Sequence, residues 1–327
     1  MKREILEAQK LFEGASTVLV TSHQRPDGDA IGSLLALHIS LKAKGFSSHA
    51  ILAEEVPERY RFLPQANSIQ DTTLDHFDLI IAVDCADRDR VSLPQQFSER
   101  MIDLNIDHHP TNTNFTTTNL VDPDAAATTQ MLQLLLPDFG LPLTAEVRTN
   151  LLAGLITDTL GFRTDSVTPR VLRAAADLLE EGAPLAELYH LVLTRRKFDE
   201  VRYWGQGLSS ITNEDGLVWT VLDLKDRELA GYTHNDDADL VDVLTTIDEA
   251  KIAIIFVEQS GGKVKISFRA RAEYNVSNLA KQFGGGGHRS ASGAMLDGQL
   301  GTITNEVLTA ARELLYSKSS GHDSHGG

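Results

Sequence analysis

The sequence predicts an α/β protein with an N-terminal parallel-sheet domain and flanking helices, a helical connector, and a smaller α/β C-terminal domain. In the first half, short aliphatic runs alternate with amphipathic stretches, whereas residues 185–211 have a helical pattern without a strand signal. Two strand-like runs around a Ser-Gly-Gly turn then indicate a hairpin. We place the domains at 1–190 and 213–317, the connector at 191–212, and a disordered tail at 318–327.

Three runs in the first half read as strands buried on both faces, because their apolar residues are continuous instead of alternating. They are TVLVT at 17–21, DLIIAVD at 78–84 and MIDLNID at 101–107. Helical patterns lie between and after them, and Gly45 and Gly182 stand where two of these helices should end. The predicted helices cover 29–44, 128–136, 144–157 and 169–181.

The second domain is predicted from three further strands and one long helix. The strands are LVWTVL at 217–222, KIAIIFVE at 251–258 and VKISFR at 264–269, and the helix covers about 305–316. The last two strands flank the Ser-Gly-Gly turn and should pair as the hairpin.

Composition excludes several classes of protein. The net charge of −16 argues against binding along duplex nucleic acid, which needs many Lys and Arg contacts to phosphates. A single cysteine, Cys85, excludes a disulfide framework and any multi-cysteine metal site. No apolar run reaches the ~18 residues of a membrane-spanning helix, and the N-terminus lacks a signal-like apolar core. We therefore expect a cytoplasmic protein without membrane contact.

Metal-capable side chains follow each predicted strand of the first half. The runs TSHQRPDGD, VDCAD and NIDHH end the three strands, and an acid ends the apolar helix LLAGLITD. The carboxyl ends of parallel strands meet at one edge of a sheet, so these groups should converge. Imidazole and carboxylate without thiol suit Mn²⁺ first, and also Mg²⁺, Zn²⁺ or Fe²⁺. The candidates are His23, Asp27, Asp29, Asp84, Asp107, His108, His109 and Asp158.

Two features of this set need an explanation. So many carboxylates in a few loops would repel one another unless cations neutralise them, and two cations fit the excess better than one. Each residue taken singly also has a simpler structural role: Asp29, for example, could cap the helix that it precedes. The metal hypothesis depends on the conjunction of four segments.

A second candidate site lies in the stretch FRARAEYNVSNLAKQFGGGGHRSASGA. Arg269 ends a predicted strand, and four consecutive glycines precede His288. Glycines allow the backbone to approach a ligand closely, and exposed N–H groups beside an arginine can hold an anion. The alternative is a flexible hinge with surface arginines.

Together these motifs resemble those of the DHH phosphoesterase superfamily. The name-giving motif stands here as Asp107-His108-His109, and His23-x3-Asp27-x-Asp29 precedes Ala-Ile-Gly-Ser. The glycine run with His288 is similar to the signature of the DHH-associated C-terminal domain. The short two-domain layout is similar to bacterial nanoRNases, which also dephosphorylate 3′-phosphoadenosine 5′-phosphate.

The resemblance implies two Mn²⁺ ions and a role for each matched residue. His23 and Asp27 would hold one ion, Asp29, His108 and Asp158 the other, and Asp84 would bridge them. His109 would touch the scissile phosphate, which makes it and Asp84 the catalytic pair, with Asp107 behind them. The substrate would be held by Arg269, Gly285, Gly286, Gly287 and His288, in an active site in the cleft between the domains.

The implied activity is hydrolysis of short oligoribonucleotides, including pApA, to mononucleotides, and of 3′-phosphoadenosine 5′-phosphate to AMP. A cyclic di-AMP phosphodiesterase is an alternative with the same motifs. A RecJ-type single-strand DNA exonuclease and a non-enzymatic binding module are further alternatives. The resemblance is also compatible with a homodimer.

Overall fold

The computed structural model describes residues 2–69 and 76–319. They form two compact units, Met1–Arg195 and Arg196–Gly327, so the division falls inside the predicted connector. The predicted α/β class is confirmed by a parallel sheet in the first unit and a second sheet in the other. The predicted tail lies outside the described residues, except that its first two positions continue the last helix.

A five-stranded, fully parallel sheet forms the centre of the first unit. Its strand order is β2-β1-β3-β4-β5. All three predicted strands are present, whereas the two edge strands are short and were not predicted. The strands are β1 (Thr17–Thr21), β2 (Ser47–Ala50), β3 (Leu79–Val83), β4 (Leu104–Asp107) and β5 (Thr118–Val121).

The two faces of this sheet are covered differently. On one face, Val18, Val20 and Ile81 pack in a large core with the helices. On the other face, Leu19 and Ile80 pack against residues from loops and short helical turns, so helices flank only one side. The helices are α1 (Lys2–Glu13), α2 (Gly28–Lys44), α3 (Thr128–Asp138), α4 (Ala145–Asp158), α5 (Pro169–Glu180) and α6 (Leu185–Tyr189), which a π-helical turn continues to Thr194.

Helix α2 is the central helix of the first unit. Every residue from Gly28 to Leu41 is buried, so the helix is surrounded by protein instead of presenting one polar face. It ends where the sequence predicts, at Gly45, whose φ of 106° is left-handed and whose N–H binds the Leu41 carbonyl oxygen.

Helices α2 and α4 approach each other closely because glycines line their contact. A Cβ on Gly32 would lie 2.6 Å from the Asn150 carbonyl oxygen, and one on Gly28 would lie 2.2 Å from Thr157 Oγ1. On the α4 side, a Cβ on Gly154 would lie 2.8 Å from Asp29 Oδ1. This close approach brings the first turn of α2 next to the last turn of α4.

The second unit has a six-stranded mixed sheet in the order β10-β11-β9-β8-β7-β6. Only β7 and β8 are parallel, and β8 and β9 form the predicted hairpin. Its elements are α7 (Phe198–Ser209), β6 (Thr212–Glu214), β7 (Leu217–Leu222), α8 (Leu224–Ala230), α9 (Leu240–Leu244), β8 (Ile252–Gln259), β9 (Lys263–Ala270), α10 (Val276–Gln282), β10 (Gly286–Gly287), β11 (Ala291–Asp297) and α11 (Leu300–Ser319).

The alternating side chains of the second sheet enter two separate cores. Ile254 and Phe256 pack with residues of α10 and α11, whereas Ile255 and Val257 pack with residues of α7, α8 and α9. Across both units, no helix within 2–69 and 76–319 has the length and apolar content to span a bilayer.

We expect Gly154→Ala to lower the free energy of unfolding by about 1–3 kcal/mol, the cost of an overpacked core. The added methyl would lie 2.4 Å from Thr129 Cγ2 and close to Asp29, which outweighs the ~1 kcal/mol gained from helix propensity. Urea unfolding followed by circular dichroism measures the change. The control is Gly14→Ala, where no atom lies within 4 Å of the added methyl. Equal stability of the two variants would contradict the packing argument.

Candidate metal centre

The candidate site lies at the carboxyl ends of β1, β3 and β4, which are neighbours in the sheet. His23 follows β1 and is held by a backbone bridge to Val91. Its Nδ1–H donates to the Gln24 carbonyl oxygen at 2.9 Å, which leaves Nε2 facing the site. Nε2 lies 3.5 Å from Asp84 Oδ2 and 3.9 Å from Asp27 Oδ1.

Two aspartates at the start of α2 have different roles. Asp27 caps the helix, because its Oδ1 accepts the N–H groups of Asp29 and Ala30, both at 3.0 Å. The alternative that Asp29 caps α2 is therefore wrong. The Asp29 carboxylate is fully buried and points instead to the start of α3, where it accepts the main-chain N–H groups of Thr128 at 2.6 Å and Thr129 at 3.0 Å.

Asp84 occupies the middle of the site. It directly follows β3 with a left-handed φ of 59°, an uncommon conformation for a residue other than glycine, which turns its side chain out of the strand direction. The carboxylate is 2% exposed, and its Oδ1 lies 3.7 Å from His108 Nε2. Thr128 Oγ1 donates to the same oxygen at 2.9 Å.

The three residues after Ile106 point in different directions. His108 Nδ1–H donates to the Ala125 carbonyl oxygen at 3.2 Å, and its Nε2 lies 3.2 Å from Asp158 Oδ2 at the end of α4. His109 Nδ1 instead donates to Asp107 Oδ1 at 2.7 Å. The buried Asp107 also accepts from Asn112 through Oδ2 at 2.5 Å, so both of its oxygens orient neighbouring groups.

The structure brings the predicted ligands together in three overlapping groups, each with ligand atoms within 4.8 Å of one another. Asp84 belongs to two of them, and His108 also belongs to two. No lysine or arginine among the described residues forms an ion pair with these carboxylates. Carboxylates and imidazoles without thiols fit a hard or borderline divalent cation. The groups are His23, Asp27 and Asp84; Asp29, His108 and Asp158; and Asp84, His108 and His109.

The crowding of acids shifts several pKa values. Burial, reinforced by the charges of Asp29 and Asp84, raises the pKa of Asp158 to about 10. Burial likewise raises the pKa of Asp29 well above its usual range. Burial opposes the charged form of His23, but the interactions with the Asp84 carboxylate, the Gln24 carbonyl oxygen and the Asp27 charge together outweigh that cost and raise the pKa of the imidazole to about 9. The site without cations therefore retains protons that a cation would displace.

Cys85 lies directly beside the site without entering it. The side chain is fully buried in the apolar cluster on the loop-covered face of the sheet, and its Sγ contacts the Val83 carbonyl oxygen at 3.4 Å. Burial raises the pKa of this thiol well above its usual range. Cys85 therefore packs as a small apolar residue and belongs to none of the three ligand groups of the described residues.

The predicted substrate residues lie in the second unit. Arg269 is the penultimate residue of β9. Its Nε donates to Asp242 Oδ1 at 2.8 Å, and its Nη1 donates to the Phe268 carbonyl oxygen at 3.2 Å. Asp242 therefore fixes one edge of the guanidinium. Arg271 and Arg289 donate to main-chain carbonyl oxygens, so they support the surrounding loops.

Local structure accounts for three of the four consecutive glycines. Gly284 follows α10 with a φ of 70°, and a Cβ on Gly285 would lie 2.2 Å from the Gly293 carbonyl oxygen. Gly287 has a φ of 136° and no space for a Cβ. Gly286, by contrast, has no atom within 4 Å of a built Cβ. His288 begins the tight turn into β11, with its side chain exposed.

Three polar residues at the site were not predicted. Thr128, Thr129 and Asn112 hold Asp84, Asp29 and Asp107. The sequence signalled Thr128 only as the start of a helix, since two threonines before an apolar run are a usual N-terminal pattern. The two threonines bind partners 44 and 100 positions away, so no local pattern indicates these contacts.

Comparison with known proteins agrees with this geometry. Residues 17–156 match the DHH family, N-terminal domain, and residues 227–317 match the DHHA1 domain. The chain belongs to the DHH family. It is therefore a phosphoesterase, a class of hydrolase, as the motifs predicted.

Two relatives and one solved structure resemble this DHH-family chain over nearly its whole length. The bifunctional oligoribonuclease and PAP phosphatase NrnA of Thermus thermophilus is 38% identical, covering 96% of this chain and 94% of the relative. The protein of the same name from Bacillus subtilis is 26% identical, covering 90% and 93%. An exopolyphosphatase-related protein from Bacteroides fragilis has the same fold, with a TM-score of 0.87, 23% identity, and coverage of 97% and 96%.

We expect Asp158→Asn to flatten the pH dependence of stability in the metal-free DHH-family protein. Folding raises the Asp158 pKa from 3.8 to about 10, so the folded state retains a proton that the unfolded state releases. The stability due to this group is present at low pH and is lost as the pH rises through that window. In EDTA, the variant should therefore unfold at a higher temperature than the wild type at pH 8, but not at pH 4.

Mn²⁺ provides the control for this prediction. Saturating Mn²⁺ should stabilise the wild type more than the variant, which lacks one ligating carboxylate. Parallel pH profiles for the two metal-free proteins would contradict the assignment of a retained proton to Asp158.

Proposed function

We propose that the chain is a Mn²⁺-dependent enzyme that hydrolyses short oligoribonucleotides, including pApA, to mononucleotides. We also propose that it converts 3′-phosphoadenosine 5′-phosphate to AMP. The observation that carries the proposal is the three overlapping groups of carboxylates and imidazoles, two of which share Asp84, in a DHH-family phosphoesterase. The printed activities of the Thermus thermophilus relative, 38% identical along the chain, support the same substrate class.

Charge favours a short substrate over a long one. The chain carries a formal net charge of −16, which repels a long polyanion. A dinucleotide has few phosphates and needs only one local cationic contact. A cytoplasmic location fits substrates that arise from RNA turnover.

We assign the predicted ligands to two cation positions. His23 and Asp27 would hold one cation, Asp29, His108 and Asp158 would hold the second, and Asp84 would contact both. Divalent cations bound at these groups supply a water of lowered pKa and neutralise charge on the phosphate. The Nδ1–H bonds of His23 and His108 to main-chain oxygens keep each Nε2 directed at its cation.

His109 would contact the scissile phosphate instead of a cation. Its hydrogen bond to Asp107 occupies Nδ1 and raises the pKa of the ring, which favours the imidazolium. The Nε2–H can then donate to a phosphate oxygen that gains negative charge during hydrolysis. Asp107 and Asn112 hold the ring in this orientation.

Arg269, the glycine run and His288 would hold the terminal phosphate or sugar of the substrate. Asp242 occupies only the Nε edge of Arg269, so Nη2 remains available for a phosphate oxygen. Packing explains the absence of a side chain at Gly285 and Gly287, but Gly286 has open space above it. A close backbone approach to a ligand gives that position a reason to lack a side chain.

A substrate panel with Mn²⁺ tests the proposal. It contains pApA, an RNA of about five nucleotides, an RNA of about twenty nucleotides, 3′-phosphoadenosine 5′-phosphate and cyclic di-AMP. We expect kcat/KM for pApA to exceed that for cyclic di-AMP by roughly tenfold or more, equivalent to ~1.4 kcal/mol of transition-state stabilisation. Higher activity on cyclic di-AMP than on pApA would contradict the proposed substrate. Equal activity on the long and the short RNA would contradict the argument that the net charge favours short substrates.

The variant Asp84→Asn gives the residual activity with which the panel is compared. It should fold and lose turnover by at least about a hundredfold, because both cation positions share Asp84. Asp138→Asn is the matched control, since this aspartate ends α3 with an exposed side chain. Retained Mn²⁺-dependent turnover in folded Asp84→Asn would contradict the assignment.

We expect Arg269→Ala to raise the KM for pApA roughly ten- to a hundredfold, the loss of a charge-assisted contact worth about 1.5–3 kcal/mol. The kcat should change less, because Arg269 lies outside the proposed cation groups. Arg312→Ala is the control: this arginine of α11 forms a comparable, partly exposed ion pair with Glu214. An unchanged KM in Arg269→Ala would remove the arginine from the substrate site.

A further inference from the structure

The start of α3 has an unusual cap. Its N-cap residue, Ala127, has no side chain that accepts a hydrogen bond, so the first N–H groups of the helix need another partner. The Asp29 carboxylate supplies it: Oδ2 accepts from the Thr128 N–H and Oδ1 from the Thr129 N–H. These contacts cross 99 and 100 positions of sequence.

The hydroxyl groups of the same two threonines bind carboxylates of the candidate metal centre. Thr128 Oγ1 donates to Asp84 Oδ1 at 2.9 Å, and Thr129 Oγ1 donates to Asp29 Oδ1 at 2.6 Å. Both threonine side chains are buried, with exposures of 0% and 1%. Water therefore has no access to replace either hydroxyl if it is removed.

We propose that Thr128 and Thr129 are positioning residues that set the orientation of the Asp84 and Asp29 carboxylates for cation binding. The inference rests on the proposed function, because it assumes that these carboxylates hold cations. Neither threonine contacts the substrate or the reacting atoms. Each acts through the aspartate that it binds.

The geometry shows how a threonine hydroxyl can orient a metal-binding carboxylate and still leave it free to bind a cation. A carboxylate has about four lone-pair positions, so one accepted bond on Asp84 Oδ1 leaves others for a cation. That bond fixes the rotation of the carboxyl group, with Oδ2 facing His23 and Oδ1 facing His108. The threonine is itself rigid, because its β-branched side chain has few rotamers and its N–H is bound to Asp29.

The two threonines should have different effects. Thr128 acts on Asp84, which belongs to two of the three ligand groups and would contact both cations. Thr129 acts on Asp29, which belongs to one group. Removing the Thr128 hydroxyl should therefore weaken both cation positions, and removing the Thr129 hydroxyl should weaken one.

A titration of the metal-free protein with Mn²⁺ tests this inference without measuring turnover. Calorimetry and the electron paramagnetic resonance signal of unbound Mn²⁺ both report the binding. Thr128→Val keeps the shape and the N–H bond to Asp29 but removes the hydroxyl. We expect it to weaken both Mn²⁺ affinities roughly ten- to a hundredfold, as is usual when a partner of a metal ligand is lost. Thr128→Ser should restore the affinities to within about threefold, and Thr129→Val should weaken one affinity only.

Ser40→Ala is the matched control. Ser40 is also fully buried in α2, and its hydroxyl donates to the Pro142 carbonyl oxygen, away from the ligand groups. It should lower thermal stability and leave both Mn²⁺ affinities unchanged. If Thr128→Val does not fold, Thr128→Ala, which also keeps the main-chain bond to Asp29, takes its place in the same titration.

The outcomes separate the inference from the proposed function. A wild-type protein that binds no Mn²⁺ would contradict the proposed function and the inference with it. A wild type that binds two Mn²⁺ ions, together with a folded Thr128→Val that binds them equally well, would overturn the inference alone. Equal weakening by Thr128→Val and Ser40→Ala would also overturn it, because the effect would then be a general loss of stability.

Discussion

One buried carboxylate, that of Asp29, joins the two helix starts that position the candidate metal centre. It lies in the first turn of α2, where a negative charge is favourable, and it also caps α3 from the side. Because the two helices share this charge, Thr128 of α3 reaches Asp84 after β3. The glycine contacts between α2 and α4 then bring Asp158 to the same place. Helix packing and ligand geometry are thus consequences of the same contacts.

The same arrangement carries a cost in free energy. Acids buried together resist ionisation, and burial raises the pKa values of Asp29 and Asp158 for that reason. Hydrogen bonds from main-chain and hydroxyl groups offset part of the cost at Asp29, whereas the Asp158 carboxyl group lies 3.2 Å from His108 Nε2. A divalent cation would supply the missing positive charge, so binding and folding stability should be linked. Stability of the first unit and occupancy of its site are therefore not independent quantities.

Much of the fold and of the site was predictable because the signals are local. Continuous apolar runs indicated β1, β3 and β4, and acids directly after them indicated where ligands would meet. The edge strands β2 and β5 were missed because they are short and partly polar, with sequences SSHA and TNLV. The sequence leaves open whether Asp29 caps α2 or binds a metal, since two aspartates two positions apart give the same local signal. Only the tertiary contact with α3 separates their roles.

The long-range polar contacts could not be predicted for a related reason. Thr128 and Thr129 carry no sequence pattern that distinguishes a helix start from residues holding a ligand. Their importance arises from partners brought together by the sheet order. The glycine run is an intermediate case: its composition indicated backbone approach, but only the structure separates Gly286 from neighbours that are glycines for reasons of packing.

The burial of Cys85 gives the molecule an internal reporter. It is the only cysteine in the sequence, it directly follows Asp84, and it has no solvent exposure. A thiol reagent can modify it only when the segment around Asp84 opens, so the labelling rate of the unmodified protein measures how often that segment opens. Occupied and empty metal sites can therefore be compared by chemistry at a single sulfur atom, without introducing a probe.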